Sequence, residues 1–193
     1  PNDAWYQLGY HLAKINMPEA WEITKGDTNV YIAIIDSGTD IKHEDLAANI
    51  WTNPKEIPNN GIDDDGNGKI DDVHGWDLIG NISAQQLISG QYKEDNDPTN
   101  MIATHGTHTA GCASAVTNNT IGVAAPGFNC KIMPVKCASD GFNSAGISRG
   151  YEGILYAAVT GAKIISCSWG GPGWSPVEED IMNQVISMDA VVV

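Results

Sequence analysis

The sequence predicts an α/β fold, a parallel sheet with helices on its faces. Short β-branched apolar runs recur at 29–35 (NVYIAII), 130–135 (CKIMPV) and 162–169 (AKIISCSW), each the length of a buried strand. Segments with helical character or spacing stand at 106–116, 146–160 and 176–188. Strand and helix therefore alternate through the second half, as parallel neighbours require.

In chain order, residues 1–25 read as an arm of short helices, with Met17-Pro18 opening one because proline is tolerated in a first turn. The run at 29–35 is a strand ending at Asp36. Residues 37–104 are polar and rich in Asp, Asn and Gly, and read as surface loops. The stretch 106–116 is a helix despite its glycines, and 117–120 is a turn. After the strand at 130–135, apolar residues at Ile147, Tyr151, Ile154, Leu155 and Ala158 mark a helix that Gly161 stops. The strand at 162–169 follows. The helix at 176–188 carries Glu178, Glu179 and Asp180 in its first turn, where the dipole favours acids. A fourth strand begins at Ala190.

The 193 residues suffice for one substantial core. Ten basic residues against 24 acidic ones give a net charge of −14. That excludes a nucleic-acid partner, which demands Lys/Arg clusters, and suits cation binding. No apolar run approaches the 20 or so residues that cross a bilayer, so no membrane partner is expected. Pro1 to Trp5 carry neither the basic start nor the apolar stretch of a secretory leader. Cys112, Cys130, Cys137 and Cys167 form no C-x-x-C pair, and their number permits two disulfides or four thiols. No G-x-G-x-x-G follows a strand, which excludes dinucleotide binding.

Asp36 stands at the carboxyl end of a buried strand, where active sites of parallel sheets form. A carboxylate there orients a histidine or caps a turn. His105 and His108 lie in His105-Gly106-Thr107-His108. A helical zinc protease needs H-E-x-x-H, and Gly106 stands where the Glu should be. Gly106 also lets other backbone approach closely. His108 alone reads as a packed structural residue. Gly146-Ile147-Ser148-Arg149-Gly150 matches the G-x-S-x-G nucleophile elbow, but that fold needs its His after the Ser, and every histidine precedes Ser148. Ser148 is expected to face solvent or cap the helix.

Four segments together resemble the subtilisin-like serine proteases, and among them the calcium-rich thermitase type. They are Ile35-Asp36-Ser37-Gly38-Thr39-Asp40 with Asp45-Leu46, His105-Gly106-Thr107-His108-Thr109-Ala110-Gly111, Gly122-Val123-Ala124-Ala125-Pro126, and Ile164-Ile165-Ser166-Cys167-Ser168-Trp169-Gly170-Gly171. The resemblance implies a three-layer fold, with the chain as the N-terminal part of one peptidase domain, incomplete at its C-terminus. It implies Asp36 as the acid and His105 as the general base of a Ser-His-Asp triad. Imidazole suits that role because it changes protonation near neutral pH. The family's G-T-S nucleophile motif is missing, as is the side-chain oxyanion donor expected just after 191–193. The family further implies that Ser168, Trp169, Gly170 and Gly171 bind the substrate backbone and line a pocket, with bare glycine backbone suiting strand addition. Asp140-Gly141-Phe142 is the expected opposite edge. Cys167 reads as a buried thiol beside this segment.

The insertion at about 53–77 gathers Glu56, Asp63, Asp64, Asp65, Asp71, Asp72 and Asp77. Its D-x-D-x-N-G pattern at 63–68 suits Ca²⁺, which takes six to eight oxygens. Asp63, Asp65 and Asn67 supply side-chain oxygens, Lys69 its carbonyl, and Asp71 or Asp72 closes the site. His74 occupies the position of the usual Glu, so this is not a standard EF-hand loop. The resemblance implies a second ion at Asp3, Asp45, Asn119 and the carbonyls of Val116, Ile121 and Val123. Asp95 and Asp97 are candidates for a third.

These readings describe a calcium-dependent serine endopeptidase, secreted or periplasmic, acting on protein or peptide. This chain is expected to supply Asp and His, to be inactive alone, and to be completed by a Ser-containing segment of the same chain or of a companion chain. The alternative is a fragment that binds calcium or peptide and hydrolyses nothing.

Overall fold

The computed structural model describes residues 1–140, 146–173 and 175–193. Their elements are α1 (Tyr10–Lys14), α2 (Met17–Ile23), β1 (Tyr31–Asp36), β2 (Trp76–Asp77), α3 (Ala84–Ile88), α4 (His105–Ser114), β3 (Lys131–Lys136), α5 (Gly150–Thr160), β4 (Ile164–Ser166), α6 (Pro176–Ser187) and β5 (Val191–Val192). The strands form one sheet in the order β2-β3-β1-β4-β5. Every pairing is parallel, with Tyr31 opposite Lys131, Ile32 opposite Ile164 and Ile164 opposite Val191. This is the three-layer α/β sandwich that the sequence predicts.

Side chains alternate across a strand, so parity assigns each residue to a layer. Ala33 and Ile35 of β1 pack with Met133, Val135 and Ile165 against Ile154 and Ala157 of α5 and Val185 of α6. Ile32 and Ile34 pack with Ile132 against Ala110 of α4 and Leu46. Asp36 shares the parity of Ile32 and Ile34. It therefore stands on the α4 face, where His105 begins the helix. The N-terminal arm closes a third cluster, with Leu12 and Trp21 against Ala124 and Phe128.

Several boundaries shift from the sequence reading by one or two residues, and three differences are larger. Residues 37–104 are mostly loops, but Trp76–Asp77 adds an edge strand beside β3. Two residues inside a polar stretch give no periodicity to detect. The strand at 162–169 shortens to Ile164–Ser166, and Trp169 beyond it donates its indole N–H to Ile35 O. The helix at 146–160 starts only at Gly150 and ends at Gly161 in the left-handed region (φ 108°), as expected of a glycine stop. All four cysteines are free thiols, with Cys130 and Cys137 buried. No described helix is long and apolar enough to cross a membrane.

Candidate active site

The carboxylate of Asp36 is nearly dry, and the His105 ring beside it is open to solvent: their side chains are 3% and 60% exposed. His105 Nδ1 lies 2.8 Å from Asp36 Oδ1 and 3.0 Å from Oδ2. A carboxylate only accepts here, so the ring proton sits on Nδ1 and the lone pair on Nε2. Asp36 is held independently. Its Oδ1 accepts the Ser37 N–H at 2.6 Å, and Oδ2 lies 3.3 Å from the Thr109 hydroxyl, whose proton it shares with Gly106 O at 3.0 Å. Asp36 is thus both the turn cap and the histidine's orienter.

The start of α4 is fixed from two sides. The Gly106 N–H donates to Ser37 Oγ at 3.1 Å, and that hydroxyl donates to Ala103 O at 3.2 Å. Asn100, buried, donates from Nδ2 to Ser37 O at 2.8 Å and accepts the Ala103 N–H at 2.9 Å. A Cβ at residue 106 would stand 2.2 Å from Gly38 O, so only glycine lets the helix approach the turn after β1. Sequence reasoning missed Ser37, Asn100 and Thr109 as supports. Thr109 was the detectable one, because it follows His105 by four residues on one helix face.

Asp36 and His105 open onto a cleft of about 1180 Å³, also lined by Ile147, Ser168, Gly170 and Gly171. Trp169 reaches the cleft too, but its Nε1 donates to Ile35 O at 2.7 Å and its ring stacks edge-on with Tyr151, 5.8 Å between centroids. It thereby ties the cleft wall to the residue before Asp36. Cys167 lines the same cleft. Burial, and then the Asp36 charge, push its thiol up to about 12.

Ser148 is exposed, its N–H donates to Cys137 O at 2.9 Å, and Arg149 rather than Ser148 occupies the N-cap position of α5, without a side-chain cap bond. His108 is exposed rather than packed. Gly141 and Phe142 lie outside the described residues. Asp140 pairs with Lys136 at 2.8 Å, and Lys136 also pairs with Asp77 at 2.7 Å. Burial works against the Lys136 charge, but Asp140 and Asp77 overcome it and raise its pKa.

The Asp-rich insertion is pinned where Asn53 N–H meets Val73 O at 2.8 Å. Two of the predicted ligands, Asp65 and Asp72, come together there with Glu56. Glu56, Asp65 and Asp72 each offer a carboxylate oxygen, all within 4.8 Å of one another. Glu56, one of the insertion's acids but not among its predicted ligands, is buried, and Asp72 is fully so. Burial raises the pKa of Asp72 against the bonds from Tyr156, Asn67 and Asn53. Burial raises that of Glu56 as well, with the Asp72 and Asp64 charges adding to it. Asp63 instead accepts the N–H groups of Gly66, Asn67 and Gly68. Asn67 Oδ1 accepts the Lys69 N–H, and its Nδ2 donates to Asp72. The Lys69 ammonium pairs with Glu94. Asp71 accepts the N–H groups of Asn60 and Gly61.

The second predicted set converges on the loop at 116–123. Asp3 and Asp45 are both buried. Asp3 accepts the N–H groups of Asn118 and Asn119, and Asp45 accepts Asn119 Nδ2 at 2.8 Å and the Val123 N–H at 2.9 Å. Asn119 Oδ1 accepts the Ile121 N–H, and the Val116 N–H donates to Asp45 O. Gly122 has φ 51°, and a Cβ there would stand 1.8 Å from Asp45 Oδ2, so the loop wraps tightly on that carboxylate. Asp95 and Asp97 do not meet in one site through these bonds: each caps a turn, accepting the N–H groups of Asp97 and Thr99.

A family model described as the Subtilase family matches residues 27–193. This chain belongs to the subtilase family. It is 34% identical over 194 residues to thermitase of Thermoactinomyces vulgaris, covering all of this chain and 56% of thermitase. A halolysin-like extracellular serine protease, Nep, of Natrialba magadii is 30% identical over 172 residues, 88% of this chain and 26% of Nep. Among solved structures, a protease of Pseudoalteromonas arctica PAMC 21717 superposes with a TM-score of 0.71 at 27% identity, over all of this chain and 57% of that one. The chain thus spans about half the length of thermitase or less of its longer relatives.

Proposed function

We propose that this chain supplies the Asp36–His105 pair of a calcium-stabilised serine endopeptidase. One observation carries the reading: a dry carboxylate 2.8 Å from Nδ1 of an exposed imidazole, at the mouth of a large cleft. Asp36 fixes the ring proton on Nδ1. Nε2 then takes the proton of a serine hydroxyl as its oxygen attacks the peptide carbonyl. The same nitrogen returns the proton to the leaving amine, and water repeats the cycle to release the acyl group. The serine comes from a segment outside these 193 residues, in the same or a companion chain. The peptide lies extended along 168–171, where Gly170 and Gly171 leave the backbone accessible.

Two cation sites fit the residues present. Glu56, Asp65 and Asp72 are hard oxygen donors gathered within one ion's reach, which suits Ca²⁺. The ion would neutralise carboxylates that burial leaves costly to ionise. Asp3, Asp45 and the 116–123 loop form the second. Asp63 and Asn67, whose side-chain oxygens already accept backbone N–H groups, and the Lys69 carbonyl remain further candidate ligands of the first set. Secretion is part of the proposal, in keeping with the relative named as extracellular.

The test is hydrolysis of a fluorogenic peptide by the full enzyme in Ca²⁺. Asp36→Asn is expected to lower kcat by about 10⁴ with little change in KM. Undiminished turnover in that variant would overturn the reading. Peptide binding without any hydrolysis in the wild type would favour a binding protein instead.

A further inference from the structure

A second cavity, of about 620 Å³, lies on the other side of α4, between the helix and the N-terminal arm. His108 and Cys112 line it and take no part in the site above. They are four residues apart on one helix face. Cys112 Sγ lies 3.9 Å from His108 Nε2. Both side chains belong to exposed residues, and the other three thiols are buried or half-buried.

That spacing is close to what a metal needs. With Zn–S of about 2.3 Å and Zn–N of about 2.0–2.1 Å, a tetrahedral ion holds S and N about 3.6 Å apart. A small rotation about either side chain closes the gap. Thiolate and imidazole are soft and borderline donors, matched to Zn²⁺ or Cd²⁺ and poorly to Ca²⁺. We propose that His108 and Cys112 form a two-donor site for a thiophilic divalent cation. The metal binds Sγ and His108 Nε2, and the thiol proton leaves to solvent. Water fills the remaining positions, for which the cavity has room, and His11 lines the same cavity. His43 also lines it but is not a ligand in this arrangement. Its Nδ1 accepts the Asp45 N–H at 3.1 Å, which places the ring proton on Nε2. The site is independent of the protease reading and stands or falls without it.

The full chain in excess Ca²⁺ is titrated with Cd²⁺, following the ultraviolet sulfur-to-cadmium charge-transfer band. One equivalent should saturate the band. Cys112→Ser should abolish it, and His108→Ala should weaken binding about tenfold or more. A band unchanged in His108→Ala would mean a thiol acting alone, and a band surviving in Cys112→Ser would place the metal elsewhere. Either overturns the proposal. A second measurement needs no variant. Zn²⁺ should slow iodoacetamide alkylation of Cys112, read by peptide mass, while added Mg²⁺ should not. Equal alkylation rates with and without Zn²⁺ would contradict the site.

Discussion

The Asp36–His105 pair and the Asp-rich insertion are built in opposite ways. Asp36 ends a strand whose Ala33, Ile34 and Ile35 are essentially inaccessible to solvent, so packing fixes its position before any polar contact forms. The insertion has no such floor: Ile57, Ile62 and Ile70 are all more than half exposed. Its order comes from hydrogen bonds to carboxylates, and three of those carboxylates crowd together at Glu56, Asp65 and Asp72. A packed frame tolerates solution conditions. A frame of like charges depends on what neutralises it.

The largest expected effect follows from that contrast. Chelating Ca²⁺ should lower the melting temperature by about 5–10 °C, the scale set by a ligand at about 100 times its Kd on a chain of this size. Calorimetry with and without EDTA checks it, and superimposed melting curves would erase the difference between the two regions. A sharper version uses Glu56→Gln. In Ca²⁺ the variant should melt below wild type, because a ligand charge is lost. In EDTA it should be destabilised much less than in Ca²⁺, because removing a buried like charge offsets the loss of one oxygen that accepts the Asp64, Asp65 or Asp71 N–H groups. A variant that is equally destabilised in both would make Glu56 a purely structural acceptor.

On the sheet side, Trp169→Phe keeps an aromatic but smaller side chain and removes the donor to Ile35 O. The expected cost is about 1–2 kcal/mol of stability, read from the urea midpoint, since a buried carbonyl loses its partner. The smallest effect concerns Glu94, which joins the insertion to α5 through Lys69 and Arg149. Burial alone would raise its pKa, but Lys69, Arg149 and the Trp76 N–H hold it down to about 2. A depressed carboxylate stabilises the fold above its unfolded pKa of about 4.3 and loses that contribution as pH falls. The stability gap between wild type and Glu94→Gln should therefore narrow between about pH 5 and pH 2. A gap independent of pH would remove the ion network from the account.

The sheet was legible because burial imposes periodicity. The runs at 29–35 and 130–135 and the Gly161 stop follow from side-chain chemistry and spacing alone. Asp36 was legible for the same reason, since a polar residue closing an apolar strand is marked by contrast. Its supports were less so: Ser37 and Asn100 act through contacts between segments more than 60 positions apart in the chain. The insertion shows the limit most clearly. Spacing pointed to Asp65, which meets Asp72 and Glu56 in one cluster, but not to Glu56, which lies seven or more positions away and, like Asp63, also accepts backbone N–H groups of the folded loop. Trp169 lines the cleft as expected of a pocket wall, and its indole N–H also donates to Ile35 O, a contact that a sequence pattern does not reveal.

The central claim is that His105, oriented by Asp36, activates a serine outside these 193 residues. A fluorophosphonate probe reports it most directly, applied to the full enzyme in Ca²⁺ and mapped by peptide mass. The account predicts label on a serine beyond this sequence, lost in His105→Ala. Label on a serine within these residues, or labelling indifferent to His105, would contradict it.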